Sequence, residues 1–170
     1  MPHIVKYLIE HSTFLFKDSK NLTGSLVLEF AKMLGCKSED ALPYALGIEC
    51  VQAYSLVHDD LPCMDNDDMR RGKPSCHIAF GESTAVLTGD ALLTHAFSVI
   101  TESDAAAAHP ERAVKAVAKL ANCAGYRGMV GGQVLDLAAA EKEVSAVELA
   151  AIHSLKTSAL MKASAAMGCI

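Results

Sequence analysis

Apolar residues recur at helical spacing from Leu22 onward. Leu22, Leu26, Val27, Phe30, Ala31 and Leu34 share one face, and Gly35 follows where a helix commonly stops. The spacing predicts a helix over residues 22 to 34. Residues 1 to 20 carry apolar side chains, as in KYLIEHSTFLF, without a clean period. Asp40 is placed to cap a second helix, with Pro43 in its first turn, where a missing N–H is harmless. That segment, ALPYALGIECVQAYSLVHDD, is apolar nearly all round and predicts a central, buried helix ended or bent by Pro62. Residues 65 to 81 hold Asn, Gly, Pro and charges and read as an ordered loop. Helices are then expected over residues 83 to 101, from Pro110 to about Cys123, and through GMVGGQVLDLAAA, whose glycines suggest close helix contacts. A last helix opens with a capping box, Ser145 and Glu148, and runs to Met167. The chain stops within the apolar segment ALMKASAAMGCI, which reads as a cut rather than a finished domain.

Composition supports an all-α class. Half of the 170 residues are hydrophobic, Trp is absent and β-branched runs are short. The length fits one domain with a real core, and no linker or repeat interrupts it. A net charge of −5 with scattered cations argues against a general nucleic-acid binder. The six cysteines form no C-x-x-C pair, and no basic and apolar leader opens the chain. That suits a cytoplasmic protein with reduced, mostly buried thiols. No uninterrupted apolar run approaches the roughly 20 residues that span a bilayer, so stable membrane insertion is not expected.

One stretch breaks the pattern. VHDDLPCMDNDDMRRGKPSCH, residues 57 to 77, places Asp59, Asp60, Asp65, Asp67 and Asp68 beside Arg70, Arg71 and Lys73 at the end of the buried helix. Crowded carboxylates repel one another and are driven toward protonation, unless a divalent cation joins them. Mg²⁺ takes one or two carboxylates plus phosphate oxygens, and guanidinium forks grip phosphate in a bidentate way. Acid for metal beside base for phosphate points to a metal–diphosphate site. A generic acidic run is more often a solvated loop, but the order D-D-x-x-x-x-D and then R-R-G after an apolar helix makes that reading weak here. An EF-hand is excluded because its ligand order is missing.

HDDLPCMDNDDMRRGKPSCH resembles the first aspartate-rich motif of the trans-prenyltransferases, the farnesyl and geranylgeranyl diphosphate synthases, with the bacterial farnesyl type nearest. The resemblance continues in FGESTAVLTGDALLTHAF, GGQVLDL and HSLKTSAL and covers about residues 20 to 170. It implies an isoprenoid-synthase helix bundle, here only its N-terminal part, around a deep apolar cavity. It also implies head-to-tail condensation of an allylic diphosphate with isopentenyl diphosphate. Asp59 and Asp65 match Mg²⁺ ligands, and Asp60 matches their supporting neighbour. Arg70 matches the binder of the allylic diphosphate and Arg71 that of isopentenyl diphosphate. Lys156 and Thr157 match a pair near the leaving group, and Gln133 and Asp136 face the same cavity. Tyr54, five residues before Asp59 and about 7.5 Å back along the helix, matches a floor that limits product length to fifteen carbons.

Taken alone, Lys156 also fits a snorkelling surface lysine, Thr157 a helix back-bonder, and Gln133 with Asp136 an ordinary polar face. His58, His77, His95 and His153 are scattered, and none is expected to be a metal ligand.

The sequence departs from the family in two places. Where the family carries G-G-K-R-x-R-P for isopentenyl diphosphate, this chain has DSKNLTG: Lys20 matches the lysine, but Asn21 and Thr23 stand where two arginines belong. Gln52 sits at another contact for that substrate and is an accepted alternative there. No second aspartate cluster follows Asp136. Three functions are therefore carried forward: a prenyl diphosphate synthase with this chain alone inactive, a non-catalytic subunit or remnant that only associates, and a class I terpene cyclase. The K-T and G-Q-x-x-D motifs disfavour the cyclase. The incomplete bundle is expected to expose apolar faces and to form dimers or larger assemblies.

Overall fold

The structure is a computed structural model and describes residues 21–140 and 142–170. Lys20 and the aperiodic start of the chain lie outside the described residues. The first described helix, α1 (Leu22–Met33), buries Thr23, Gly24, Val27 and Ala31, whereas Leu22 and Leu34 are exposed. Its buried face is thus turned from the one that the leucines suggest. The reason is polar: Glu49 is buried, and its Oε1 accepts from the Thr23 hydroxyl at 2.6 Å and the Gly24 N–H at 2.7 Å. A buried carboxylate left unbonded costs more than two leucines in water.

Helix α2 (Ser38–Asp59) is the buried centre, as its all-round apolar pattern predicts. Lys37, not Asp40, is its N-cap; Asp40 and Glu39 lie in the first turn, where their charge suits the helix dipole. After Asp60 the chain folds back through a small hairpin, β1 (Met69–Arg70) against β2 (Lys73–Pro74), and a short helix α3 (Cys76–Phe80). Residues 65 to 81 are therefore not a plain loop. The turn residues Arg71 and Gly72 both have positive φ, 54° and 77°, as a two-residue hairpin turn requires.

Helix α4 (Glu82–Thr101) packs along α2, followed by α5 (Asp104–Ala108), α6 (Pro110–Ala124) and α7 (Met129–Ala139). By length and composition α4 is apolar enough to cross a membrane, but its stripe of Ala85, Thr88, Gly89, Leu92, Ala96 and Ile100 is buried in the bundle. Helix α8 (Ala146–His153) carries both halves of the expected capping box. It does not run on unbroken: a π turn over Ser154–Ser158 precedes α9 (Ala159–Gly168). Ile48, Val51, Ile100, Leu120 and Leu160 form the centre of the core. The thiols depart from expectation. Cys50 and Cys76 are buried, whereas Cys63 and Cys169 are exposed; all six are free. Burial, with Glu49 beside it, pushes the Cys50 thiol up to about 11, so it behaves as a small core residue.

Candidate active site

The C-terminal half of α2, helix α7 and the π turn enclose a cleft of about 460 Å³. Gln52, Tyr54, Asp59, Gln133, Lys156 and Thr157 all line it, and much of the remaining wall is apolar, with Met64, Met129 and Met161 among it. Residues far apart in sequence thus meet at one carboxylate. Gln133 donates its amide N–H to Asp59 Oδ1, and the Lys156 ammonium lies 3.9 Å from Asp59 Oδ2. Lys156 also donates to Asp136 Oδ2 at 2.6 Å. Asp136 itself does not line the cleft but holds the lysine from one side.

Two local features make this meeting possible. The π turn carries Lys156 and Thr157, and such turns are common at functional sites. Gly132 lets α7 lie directly against that turn, because a Cβ there would overlap the Lys156 backbone nitrogen and Cα. Gly132→Ala would gain about 1 kcal/mol in helix propensity. The overlap is with backbone rather than with a flexible side-chain end, so overpacking wins. The expected outcome is a net loss of about 1–3 kcal/mol in urea denaturation. Unchanged stability would show that α7 can shift freely.

The aspartates do not act alike. Asp60 is 2% exposed and turns away from the cleft, with Arg70 Nε donating to its Oδ2 at 2.6 Å and Arg70 Nη2 to its Oδ1. Arg70, expected at the phosphate, is therefore held side-on by Asp60. Arg71 lies in the hairpin turn and is exposed; neither arginine lines the cleft. Asp65 is exposed, and its N–H donates to the Asp59 carbonyl at 2.9 Å. Asp59, Asp60 and Asp65 therefore do not converge as a ready-made triad. Among the described residues no group of three or more His, Cys, Asp and Glu side chains is arranged around a metal position.

Asp59 sits among charges of both signs. Burial raises its pKa above the ordinary carboxylate range, and Asp65 and Asp60 push the same way; Lys156 and Arg70 offset this only in part. For Lys156, burial works to lower the pKa, but the bond to Asp136 and the charges of Asp59 and Asp65 prevail and raise it, so the ammonium keeps its charge.

Sequence reasoning sets His58 aside as a metal ligand and gives it no other role. It lines the cleft, its Nε2 lies 2.9 Å from the Val86 carbonyl oxygen, and its ring meets Tyr54 edge-on at 5.8 Å and 80°. Its position four residues after Tyr54, and so on the same helix face, is the signal that marks it.

Residues 5–170 match the family model described as polyprenyl synthetase. The chain is 43% identical over 161 residues to the farnesyl diphosphate synthase of Bacillus subtilis, covering 95% of this chain and 54% of that protein. It is 42% identical over 170 residues to the chloroplastic geranylgeranyl pyrophosphate synthase of Capsicum annuum, covering 99% and 45%. A crystal structure of a geranyltransferase from Legionella pneumophila superposes with a TM-score of 0.90 at 37% identity, covering 99% of this chain and 59% of that one. An apo structure of an FPP/GFPP synthase from Zymomonas mobilis gives 0.82 at 41%, covering 89% and 56%. The chain spans about half the length of the curated relatives it matches.

Proposed function

We propose, for a chain that belongs to the polyprenyl synthetase family, that the cleft binds an allylic diphosphate and serves head-to-tail condensation with isopentenyl diphosphate to farnesyl diphosphate. The observation that carries this reading is the convergence of Asp59, Gln133 and Lys156 at the head of a largely apolar cleft. Diphosphate belongs at the charged head and the prenyl tail along the apolar wall.

Asp59 and Asp65 are the residues that would hold Mg²⁺, with Asp60 keeping Arg70 in place behind them. The ion supplies charge neutralisation to the diphosphate when bound. The chain's own residues do the rest. Lys156 stabilises negative charge as the allylic C–O bond breaks and diphosphate leaves. Gln133 fixes the Asp59 carboxylate, and the methionine-rich wall excludes water from the allylic cation. The isopentenyl double bond then attacks that cation, and the proton lost from the adduct goes to the departing diphosphate. Thr157, Gln52, Arg71 and Lys20 complete substrate contacts in this proposal. A cytoplasmic location and self-association belong to it too. Val114 and Val147 are 68% and 80% exposed, so apolar surface is available for assembly.

One observation favours a second reading, a non-catalytic subunit or remnant that only associates. Thr23, where the resemblance implies an arginine, is buried and bonded to Glu49. A charged hydrogen bond to phosphate is worth about 1.5–3 kcal/mol, and this position does not supply one.

The test is calorimetric titration of this chain with inorganic diphosphate and with geranyl S-thiolodiphosphate, which resists ionisation. Mg²⁺-dependent binding on the order of micromolar is expected. Binding that is absent, or indifferent to Mg²⁺, would overturn the reading. Tyr54→Ala should leave inorganic diphosphate affinity intact and raise affinity for a twenty-carbon S-thiolodiphosphate about tenfold or more, as the floor is removed. An unchanged tail preference would take Tyr54 out of that role.

A further inference from the structure

Tyr54 is 7% exposed and lines the cleft, yet no hydrogen bond fixes its hydroxyl among the described residues. Packing must therefore set where the ring stands. Its ring contact is the edge of His58, four residues on and on the same face of α2. His58 is in turn fixed from α4. A carbonyl can only accept, so His58 Nε2 carries the proton and donates to the Val86 oxygen at 2.9 Å. The imidazole fits there because Gly89 has no side chain: a Cβ on Gly89 would overlap the His58 ring at Nε2, Cδ2 and Cε1. Gly89 is itself buried in a helix, so its conformation alone would allow alanine.

We propose that Gly89 and His58 are specificity-determining residues: the bare Cα of Gly89 seats the imidazole, the imidazole props Tyr54, and α4 thereby sets how long a prenyl tail the cleft accepts. This deepens the proposed function and rests on it. Neither residue need touch diphosphate, so they act as positioning residues. Their effect falls on tail length and not on head-group affinity.

The two substitutions should act in opposite directions. In His58→Ala the prop is gone, Tyr54 can swing, and longer tails are admitted. In Gly89→Ala the new methyl drives the imidazole off its seat toward Tyr54, and the accepted tail shortens. The double variant, in which nothing is left to collide with the methyl, should behave as His58→Ala; it also shows that any loss in Gly89→Ala is not mere misfolding.

The experiment measures affinity for Mg²⁺ with inorganic diphosphate, and with five-, ten-, fifteen- and twenty-carbon S-thiolodiphosphates, for the unaltered chain and all three variants. Imidazole ¹⁵N shifts of His58 are recorded alongside. Expected are inorganic diphosphate affinities within about twofold of the parent, a gain of roughly tenfold for the longest tail in His58→Ala and in the double variant, and a loss of similar size for the fifteen-carbon tail in Gly89→Ala. The ¹⁵N shifts should show the Nε2–H tautomer in the parent and its hydrogen bond lost in Gly89→Ala. Tail profiles that match the parent in His58→Ala and the double variant would overturn the inference, as would an unmoved His58 signal in Gly89→Ala. Failure of the unaltered chain to bind diphosphate would instead remove the site reading itself, and the inference with it.

Discussion

Arg70→Ala is expected to lower the stability of the ligand-free chain by about 3–5 kcal/mol, because it leaves a buried carboxylate without its partner. Asp60 is 2% exposed, and Arg70 meets it with Nε and Nη2 together. The bond to Asp60, ahead of the opposing effect of burial, raises the already high pKa of the guanidinium. The guanidinium therefore keeps its charge, and the worth of the pair lies in the geometry of two parallel bonds. Exposed ion pairs such as Lys37 with Glu39, at 3.7 Å and both more than three-quarters exposed, contribute little by comparison. Arg70→Lys should be intermediate, since an ammonium cannot reproduce the fork. For a domain of this size the loss in Arg70→Ala corresponds to several degrees or more in melting temperature. Thermal melts without metal or diphosphate provide the measurement. A melt within about 1 kcal/mol of the parent, coupled to weakened diphosphate binding, would show that Arg70 serves phosphate first and Asp60 second.

That double demand on Arg70 marks the limit of what the sequence makes legible. The order D-D-x-x-x-x-D and R-R-G marks the family through residue types alone, because few other arrangements place so many acids and bases side by side. Where each side chain points is a different matter. Arg70 is aimed at Asp60 by the hairpin, and its Arg71–Gly72 turn lacks the Asn-Gly or Asp-Gly signal that would reveal it. The capping box at Ser145 and Glu148 is legible because both partners are three residues apart. The π turn that follows is not, since it accompanies the close approach of α7 at Gly132, a contact between segments more than twenty residues apart. The face of α1 is misjudged for a similar reason: leucine spacing suggests one stripe, while buried Glu49 on α2 calls Thr23 and Gly24 inward. Tyr54 and Asp59, by contrast, lie on one unbroken helix, where the family resemblance puts both at the cavity, and both stand in the cleft wall.

Asp59→Asn should move stability and binding in opposite directions. Burial, with Asp65 and Asp60 beside it, raises the Asp59 pKa in the fold, and Lys156 and Arg70 compensate only partly. An acid whose pKa is higher folded than unfolded favours the fold in its protonated form. That contribution is fully present below the ordinary Asp value of about 3.9 and is lost as the pH rises through the raised value. At neutral pH the ionised Asp59 is therefore a cost to the empty chain. Asparagine removes the charge and keeps an oxygen for the Gln133 amide, while Lys156 retains Asp136 at 2.6 Å. Without metal, the variant should be more stable than the parent at neutral pH by about 0.5–2 kcal/mol, the common range for stabilising substitutions. The advantage should shrink as the pH falls toward the ordinary Asp range. Mg²⁺-dependent diphosphate affinity should drop on the order of 100-fold or more, because the carboxylate that makes the empty site costly is the one the cation needs. Melts at both pH values and calorimetry with Mg²⁺ and diphosphate together decide the matter. A variant less stable than the parent at neutral pH would refute the cost assigned to Asp59, and retained Mg²⁺-dependent binding would refute its role as a ligand.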